Sequence, residues 1–253
     1  MKILVSGYCG HMGREVVALA EDGYCGAHVV CGVDVNATGC EAHPVYKCFD
    51  NVTEDVDCII DFSHHTATAA LLCFAVSRKI PLVLATTGHT PDERAAIVSA
   101  AQQIPLFFAA NYSLGIAVLI ELAKATAKAF PDAEIEIIEK HHSRKLDAPS
   151  GTALAIADAI CEVRPDATVT KGRAGYGKRT REEIGVHAIR MGNIVGEHEV
   201  IIGTPNQTLT LKHEAHSRAL FAEGALTAAR FVLDMPLGLY DMPRMLSAIN
   251  ERE

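Results

Sequence analysis

Lys2–Glu15 reads "KILVSGYCGHMGRE": an apolar run, then glycines at Gly7, Gly10 and Gly13, then the start of the helical pattern "EVVALAE". Glycine permits a tight turn and close backbone approach, so a pyrophosphate can rest on free N–H groups at the positive end of the helix. A glycine pattern alone is weak evidence. Its strand-turn-helix setting strengthens it, and so does Asp34, which closes the next apolar run, "HVVCGVD", 21 residues after Gly13. A carboxylate there can accept hydrogen bonds from the adenosine ribose hydroxyls. The stretch predicts the first unit of a doubly wound, Rossmann-type parallel sheet that binds a dinucleotide. Asp34 is followed by Val35 and Asn36, with no Arg or Lys before Lys47, so nothing local neutralises a 2′-phosphate. NADH is therefore expected in preference to NADPH, with Arg14 the nearest cation that would argue otherwise.

Outward from this unit, short apolar runs alternate with helical patterns. "VDCIIDF", "IPLVLATTG" and "PLFFAAN" read as strands, and "ATAALLCFAVSRK" and "PDERAAIVSAAQQ" as helices. Pro91 and the acidic residues behind it suit a first helical turn. After "NYS" the pattern changes. "LGIAVLIELAKATAKAF" is a long helix, and "AEIEIIEKHH" alternates polar and apolar residues as a half-exposed strand does. "IGVHAIRMG", "HEVIIG" and "QTLTLKHEA" suggest further strands with no helix between them. That implies a second, α+β domain with a mixed, mostly antiparallel sheet. "SRALFAEGALTAARFVLD" is again a helix, and "MPLGLYDM" turns sharply, so the chain end is expected to return to the first domain. The boundaries read as 1–112 with 218–253 for the dinucleotide-binding domain and 113–217 for the other.

With 253 residues, 49% of them hydrophobic, the chain can bury a substantial core. The formal net charge of −8 argues against a general nucleic-acid surface while leaving room for a local cationic pocket. No apolar run approaches the ~20 residues needed to cross a bilayer, and the first glycines come too early for a signal-peptide core. The reading is a soluble, cytoplasmic protein without membrane partners. The eight cysteines contain no C-x-x-C pair and are expected to be buried, reduced thiols.

"IEKHHSRKLDAPSGTAL", Ile138–Leu154, concentrates the remaining chemistry. His141 and His142 are adjacent, so on a strand they face opposite ways and cannot chelate one metal together; no metal is expected. Arg144 and Lys145 follow. Pro149 makes a turn, Ser150 is a candidate cap, and Gly151 and Thr152 open a helix whose backbone N–H groups can bind an anion. A His with an ordinary pKa near neutrality, or a neighbouring Lys, can deliver a proton. These residues describe a site that grips a small carboxylate-rich molecule and protonates it.

With those motifs in view the sequence resembles the 4-hydroxy-tetrahydrodipicolinate reductases (dihydrodipicolinate reductases) of lysine and diaminopimelate biosynthesis. The likeness spans the glycine turn, "TTG" at Thr86–Gly88, "AANYS" at Ala109–Ser113, "EKHHSRKLDAPSGTA", "IRMGNIVGEHEV", "HEAHSR" and "GLYDM". It implies His141 as general acid, Lys145 as second proton donor and substrate contact, His142 as substrate contact, and Gly151 and Thr152 as a carboxylate cradle. It implies cofactor contacts from Gly7, Tyr8, Cys9, Gly10, His11 and Met12, from Asp34, from Ala85, Thr86 and Thr87, and from Ala109, Ala110, Asn111 and Tyr112. It also implies a homotetramer. Ala85 stands where the family usually has glycine, and Asp34 where a longer Glu is common; neither change removes a reacting group.

Two other readings compete. A non-catalytic NADH-sensing regulator needs the glycine turn and Asp34 but has no use for the carboxylate cradle. "GRAGYGKRT" matches a phosphate-loop spacing at Gly172, Gly177 and Lys178, yet Arg179 stands where Ser or Thr must hold magnesium. Its cations, Lys171, Arg173, Lys178, Arg179 and Arg181, read as a solvated or lid-like segment rather than a nucleic-acid surface.

Overall fold

The computed structural model describes residues 1–39 and 41–251. In chain order the first elements are β1 (Lys2–Ser6), α1 (His11–Glu21), β2 (His28–Val33), β3 (Val45–Tyr46), β4 (Cys58–Asp61), α2 (Thr68–Arg78), β5 (Leu82–Leu84), α3 (Pro91–Ala100) and β6 (Pro105–Phe108). Then follow α4 (Leu114–Ala129), β7 (Glu134–His141), α5 (Gly151–Val163), β8 (Thr168–Lys171), β9 (Glu183–Arg190), β10 (Gly196–Thr204) and β11 (Gln207–Ala215). The chain ends in α6 (Ala219–Val232), β12 (Gly238–Tyr240) and α7 (Met242–Asn250). Contacts divide it into two units, one of Met1–Ser113 with the segment starting at Arg218, the other of Leu114–Ser217.

The first unit is built on a seven-stranded sheet in the order β12-β6-β5-β4-β1-β2-β3, with every pairing parallel. Ile3, Leu4 and Val5 of β1 and all four residues of β4 have no solvent exposure, as strands covered on both faces require. The order reverses beside β1, so the C-terminal ends of β1 and β4 flank the crevice where such sheets bind ligands. Helix α3 starts with a capping box: Thr90 Oγ1 accepts from the Glu93 N–H, Glu93 Oε2 accepts from the Thr90 N–H, and Pro91 occupies the first turn. Helix α6 returns to pack on α1 and on β4, β5 and β6. The segment expected only to turn instead supplies β12, which pairs with β6, and then α7, capped by Asp241. Three residues of strand are too short for a periodic signal.

In the second unit the sheet order is β11-β10-β7-β9-β8. It is mixed, as expected: β10 pairs antiparallel with β11 and β7 over the longer registers, while β9 pairs parallel with β7 and β8. The crossover helix α5 makes the parallel half possible. Strand β7 keeps its alternation, with Ile135, Ile137, Glu139 and His141 turned to the buried face. There Ile135 and Ile137 join Val186, Val200 and Ile202 against Ile116, Leu119, Ile156 and Ile160 of α4 and α5. Ile138, Ile189 and Ile201 point the other way.

Among the described cysteines all are free, and the expected burial holds only on strands: Cys31 and Cys58 are buried, Cys9, Cys25 and Cys161 half-buried, and Cys48 and Cys73 exposed. Cys48 precedes a short 3-10 turn and Cys73 lies on the solvent side of α2. Cys40 lies outside the described residues. Among those residues no helix is long and apolar enough to cross a membrane.

Candidate active site

The glycines of the first turn are sterically required. Gly7 has φ +78°, and a Cβ there would lie 2.5 Å from the Phe62 carbonyl oxygen; one on Gly13 would lie 2.1 Å from the Gly7 oxygen. The Gly10 N–H donates to the Gly7 oxygen at 3.0 Å, and Gly10 begins α1 with no side chain capping it. The helix terminus is thus left with unpaired N–H groups and no acidic residue in its first turn. Around it opens a cavity of about 1090 Å³, lined by Gly7, Tyr8, Cys9, Gly10, Arg14 and Asp34 among others. The Cys9 N–H donates to Asp34 Oδ2 at 2.9 Å and the Asn36 N–H to Oδ1 at 2.8 Å, so the carboxylate is held at the cavity wall with lone pairs to spare. Uncapped N–H groups, a floor only glycine can form and an oriented acid together suit a dinucleotide.

The other expected cofactor residues are placed unevenly. His11 is exposed and Met12 half-buried in the first turn of α1. Tyr8 turns its ring onto Gly32 and bonds His43 Nδ1 through its hydroxyl at 2.9 Å, which leaves its backbone for a ligand. Ala85, Thr86 and Thr87 follow β5, and Ala109, Ala110, Asn111 and Tyr112 follow the adjacent β6, so both groups occupy the C-terminal edge of the sheet. Thr87 and Ala110 are exposed there. The Tyr112 hydroxyl is consumed below it, donating to the Leu84 and Phe107 oxygens. Asp61, which the sequence reading did not single out, organises this edge. It is fully buried at the end of β4 and accepts from Thr86 Oγ1 and Ser63 Oγ, each at 2.6 Å. Burial pushes its carboxyl up, against the opposing bonds from Ser6, Ser63 and Thr86.

The second cluster lies within the Leu114–Ser217 unit, around the end of β7. Glu139 is fully buried, and each of its oxygens has two partners. Oε2 meets His141 Nδ1 at 2.7 Å and Arg190 Nη1 at 2.7 Å; Oε1 meets Arg190 Nη2 at 2.6 Å and the Ser150 N–H at 2.8 Å. Burial alone would raise this carboxyl, but the bonds from Arg190, His141 and Ser150 outweigh it and hold it below the usual carboxylate range. Ser150 is the N-cap of α5, its Oγ accepting from the Ala153 N–H at 3.2 Å. The same oxygen lies 3.1 Å from His198 Nε2, and the His198 ring stands edge-on to His141 at 5.2 Å between centroids. Burial drives His198 down to about 4, with His141 adding to the effect, so its ring is neutral near pH 7. The glycine of β10, Gly196, leaves room for the His141 ring: a Cβ there would sit 3.1 Å from Nε2.

Expected substrate residues surround this core. Gly151 is exposed with open space where a Cβ would project, and Thr152 is half-buried beside it. Lys145 Nζ pairs with Asp147 Oδ1 at 2.8 Å, a surface contact that a bound carboxylate can replace. His142 is half-buried, its N–H donating to the Ile194 oxygen at 2.8 Å. Glu139, Arg190 and His198 were missed. One signal was available: Glu139 falls on the apolar register of "EIEIIEKHH", where a charge must find partners. The basic loop is largely neutralised, with Arg173, Arg179 and Arg181 paired to Glu183, Glu136 and Asp132. Among the described residues no group of three His, Cys, Asp or Glu side chains is arranged to hold a metal.

A parallel sheet with this strand order, a glycine floor and a carboxylate after the second strand define the class: a Rossmann-type dinucleotide-binding protein with a second, mixed-sheet unit. Two family models cover nearly the whole chain, "Dihydrodipicolinate reductase, N-terminus" over residues 1–112 and "Dihydrodipicolinate reductase, C-terminus" over residues 115–246. The chain belongs to the dihydrodipicolinate reductase family. It is 46% identical over 248 residues to the 4-hydroxy-tetrahydrodipicolinate reductase of Caldanaerobacter subterraneus subsp. tengcongensis, covering 96% of each protein. With the enzyme of the same name from Clostridium tetani it shares 40% identity over 250 residues, covering 98% of each. A solved structure of dihydrodipicolinate reductase from Paenisporosarcina sp. TG-14, bound to dipicolinate, superposes with a TM-score of 0.81 at 24% identity, over 95% of this chain and 97% of that one.

Proposed function

We propose that this chain is a 4-hydroxy-tetrahydrodipicolinate reductase of lysine and diaminopimelate biosynthesis, giving tetrahydrodipicolinate and water, with NADH the preferred reductant over NADPH. The observation that carries this reading is the Glu139 carboxylate, bonded at once to the His141 ring and to the Ser150 N–H. One buried group thereby ties a proton donor to an anion-binding helix start. A non-catalytic NADH sensor has no use for that arrangement.

Gly7 to Met12, Asp34, Ala85 to Thr87 and Ala109 to Tyr112 would hold the cofactor, the last two groups through backbone and small side chains. When bound, the reduced nicotinamide supplies the hydride. The protein's own residues do the rest. The backbone N–H groups of Gly151 and Thr152 at the positive end of α5 hold a substrate carboxylate, with Lys145 and His142 beside it. His141, its Nδ1 engaged by Glu139, presents Nε2 as the atom that delivers the proton accompanying reduction and loss of the hydroxyl as water; Lys145 is a second donor. The preference for NADH draws support from Glu41, which lines the same cavity as Asp34. Bonds from Thr38, its backbone N–H first, and from the Gly39 N–H hold the Glu41 carboxyl down to about 2, adding a fixed negative charge to that cavity, which disfavours a further phosphate. We place the protein in the cytoplasm as a homotetramer. The sheet face bearing Ile138, Ile189 and Ile201, turned from the unit's own core, is available for assembly.

The test generates the substrate in place from aspartate semialdehyde and pyruvate with a synthase, then follows NADH and NADPH oxidation separately by loss of the reduced nicotinamide's absorbance. Oxidation only with all components present, and a higher kcat/KM for NADH, is expected. No oxidation with either cofactor overturns the assignment; equal or better use of NADPH overturns the preference and points to Arg14 or Lys47.

A further inference from the structure

We propose that Glu139 is the positioning residue for proton transfer: by accepting from His141 Nδ1 it fixes which ring nitrogen carries the transferable proton. The inference deepens the reading of His141 as proton donor and rests on it. An ionised carboxylate only accepts hydrogen bonds, so Nδ1 must bear its hydrogen at the 2.7 Å contact. Nε2 is then the nitrogen that gains and loses a proton.

The geometry leaves Glu139 no freedom to serve otherwise. Arg190, itself half-buried, grips both oxygens and the Ser150 N–H takes a further lone pair, while Glu139 has no solvent exposure and Ser150 is buried. Three separate segments therefore converge on one carboxylate. Sheet register brings them there: Arg190 lies opposite His141 across the β7–β9 pairing, and His198 lies opposite Glu139 across β7–β10. Arg190 bonds the carboxylate and the His198 ring stands edge-on to His141, with His213 and Lys145 acting on His198 in turn; His198 is neutral near pH 7. Among the described residues Glu139 is the carboxylate paired with His141, the ring whose imidazolium must form and discharge in each cycle.

Glu139→Gln keeps the shape and reverses the logic. An amide N–H turned to Nδ1 makes that nitrogen an acceptor and moves the ring hydrogen to Nε2. The imidazolium would then set two donors against each other, with Arg190 no longer balanced. The expected loss in kcat is at least about 10²-fold and no larger than that of His141→Gln. Since Glu139 acts through His141, the double variant should be no slower than His141→Gln alone. A purely structural role predicts additive losses instead.

The decisive readout needs no substrate. In protein with ¹⁵N-labelled histidine, the His141 signals, assigned by their absence from His141→Gln, report the tautomer of the neutral ring. The expected result is the Nδ1–H form in the wild type and the Nε2–H form in Glu139→Gln. A wild-type ring in the Nε2–H form overturns the proposal even if the Glu139→Gln chain fails to fold, and so do additive kinetic losses. Absence of all turnover in the wild type would sink the assigned reaction while leaving the tautomer measurement intact.

Discussion

Acidification should unload the fold through His198. The residue is 4% exposed, and burial lowers its ring from an ordinary 6.5 to about 4. In the folded chain the ring stays neutral while the unfolded chain takes up a proton below 6.5. The stability it contributes is therefore complete above pH 6.5 and is lost as pH falls toward 4. Linkage converts that gap into about 2 kcal/mol lost between pH 7.5 and pH 5, a sizeable part of a typical folding free energy. His89 and His213 are also lowered by burial and add to the slope. Comparison with His198→Gln removes their share, because both chains carry them. Gln retains an amide able to bond Ser150 Oγ but does not titrate. Urea unfolding at a series of pH values should give a wild-type stability that falls about 2 kcal/mol further than the variant's over that interval. Equal slopes in the two chains would refute the claim that His198 is held neutral by burial.

Other consequences are simpler to state. His141→Gln should lower kcat on the order of 10²–10⁴-fold, with NADH binding, read by fluorescence titration, nearly unchanged; wild-type turnover would remove His141 from the role of donor. Gly13→Ala forces a Cβ to 2.1 Å from the Gly7 oxygen. It should cost about 1–3 kcal/mol of stability and weaken NADH binding, and an unaltered unfolding midpoint with intact binding would show that the turn yields more easily than its contacts imply. Asp34→Ala should weaken NADH more than NADPH, measured as the ratio of their kcat/KM values, because a ribose acceptor is lost while a 2′-phosphate is relieved of a charge.

What could be read from the sequence was local. The glycine turn, the first helical turn at Pro91, the cap at Ser150 and the alternation of β7 each depend on neighbours a few residues apart, and the structure shows them as such. The helix start at Gly151 followed from Ser150 in the same way. What escaped was set by pairing between distant strands. Arg190 and His198 meet Glu139 only because β9 and β10 flank β7 in one particular register, separated from it by 51 residues in one case. Glu139 itself was half legible, a charge on an apolar register without a visible partner. Asp61 was hidden for a different reason: at the end of a wholly apolar strand it looks like Asp34, and only its contacts with Thr86 and Ser63 distinguish a buried scaffold from an oriented cofactor acid. Strand β8 was missed as well, a four-residue strand with no periodicity to reveal it.

The central claim is that this chain reduces a cyclic dicarboxylate with a hydride drawn from a nicotinamide while its own histidine supplies a proton. NADH carrying deuterium at both C4 positions tests it most directly, with product recovered from the coupled reaction and examined by mass spectrometry and NMR. One deuterium per product molecule, at the ring carbon that lost its hydroxyl, is the outcome the account requires. Product free of deuterium, or label that exchanges into water before it reaches that carbon, would contradict it.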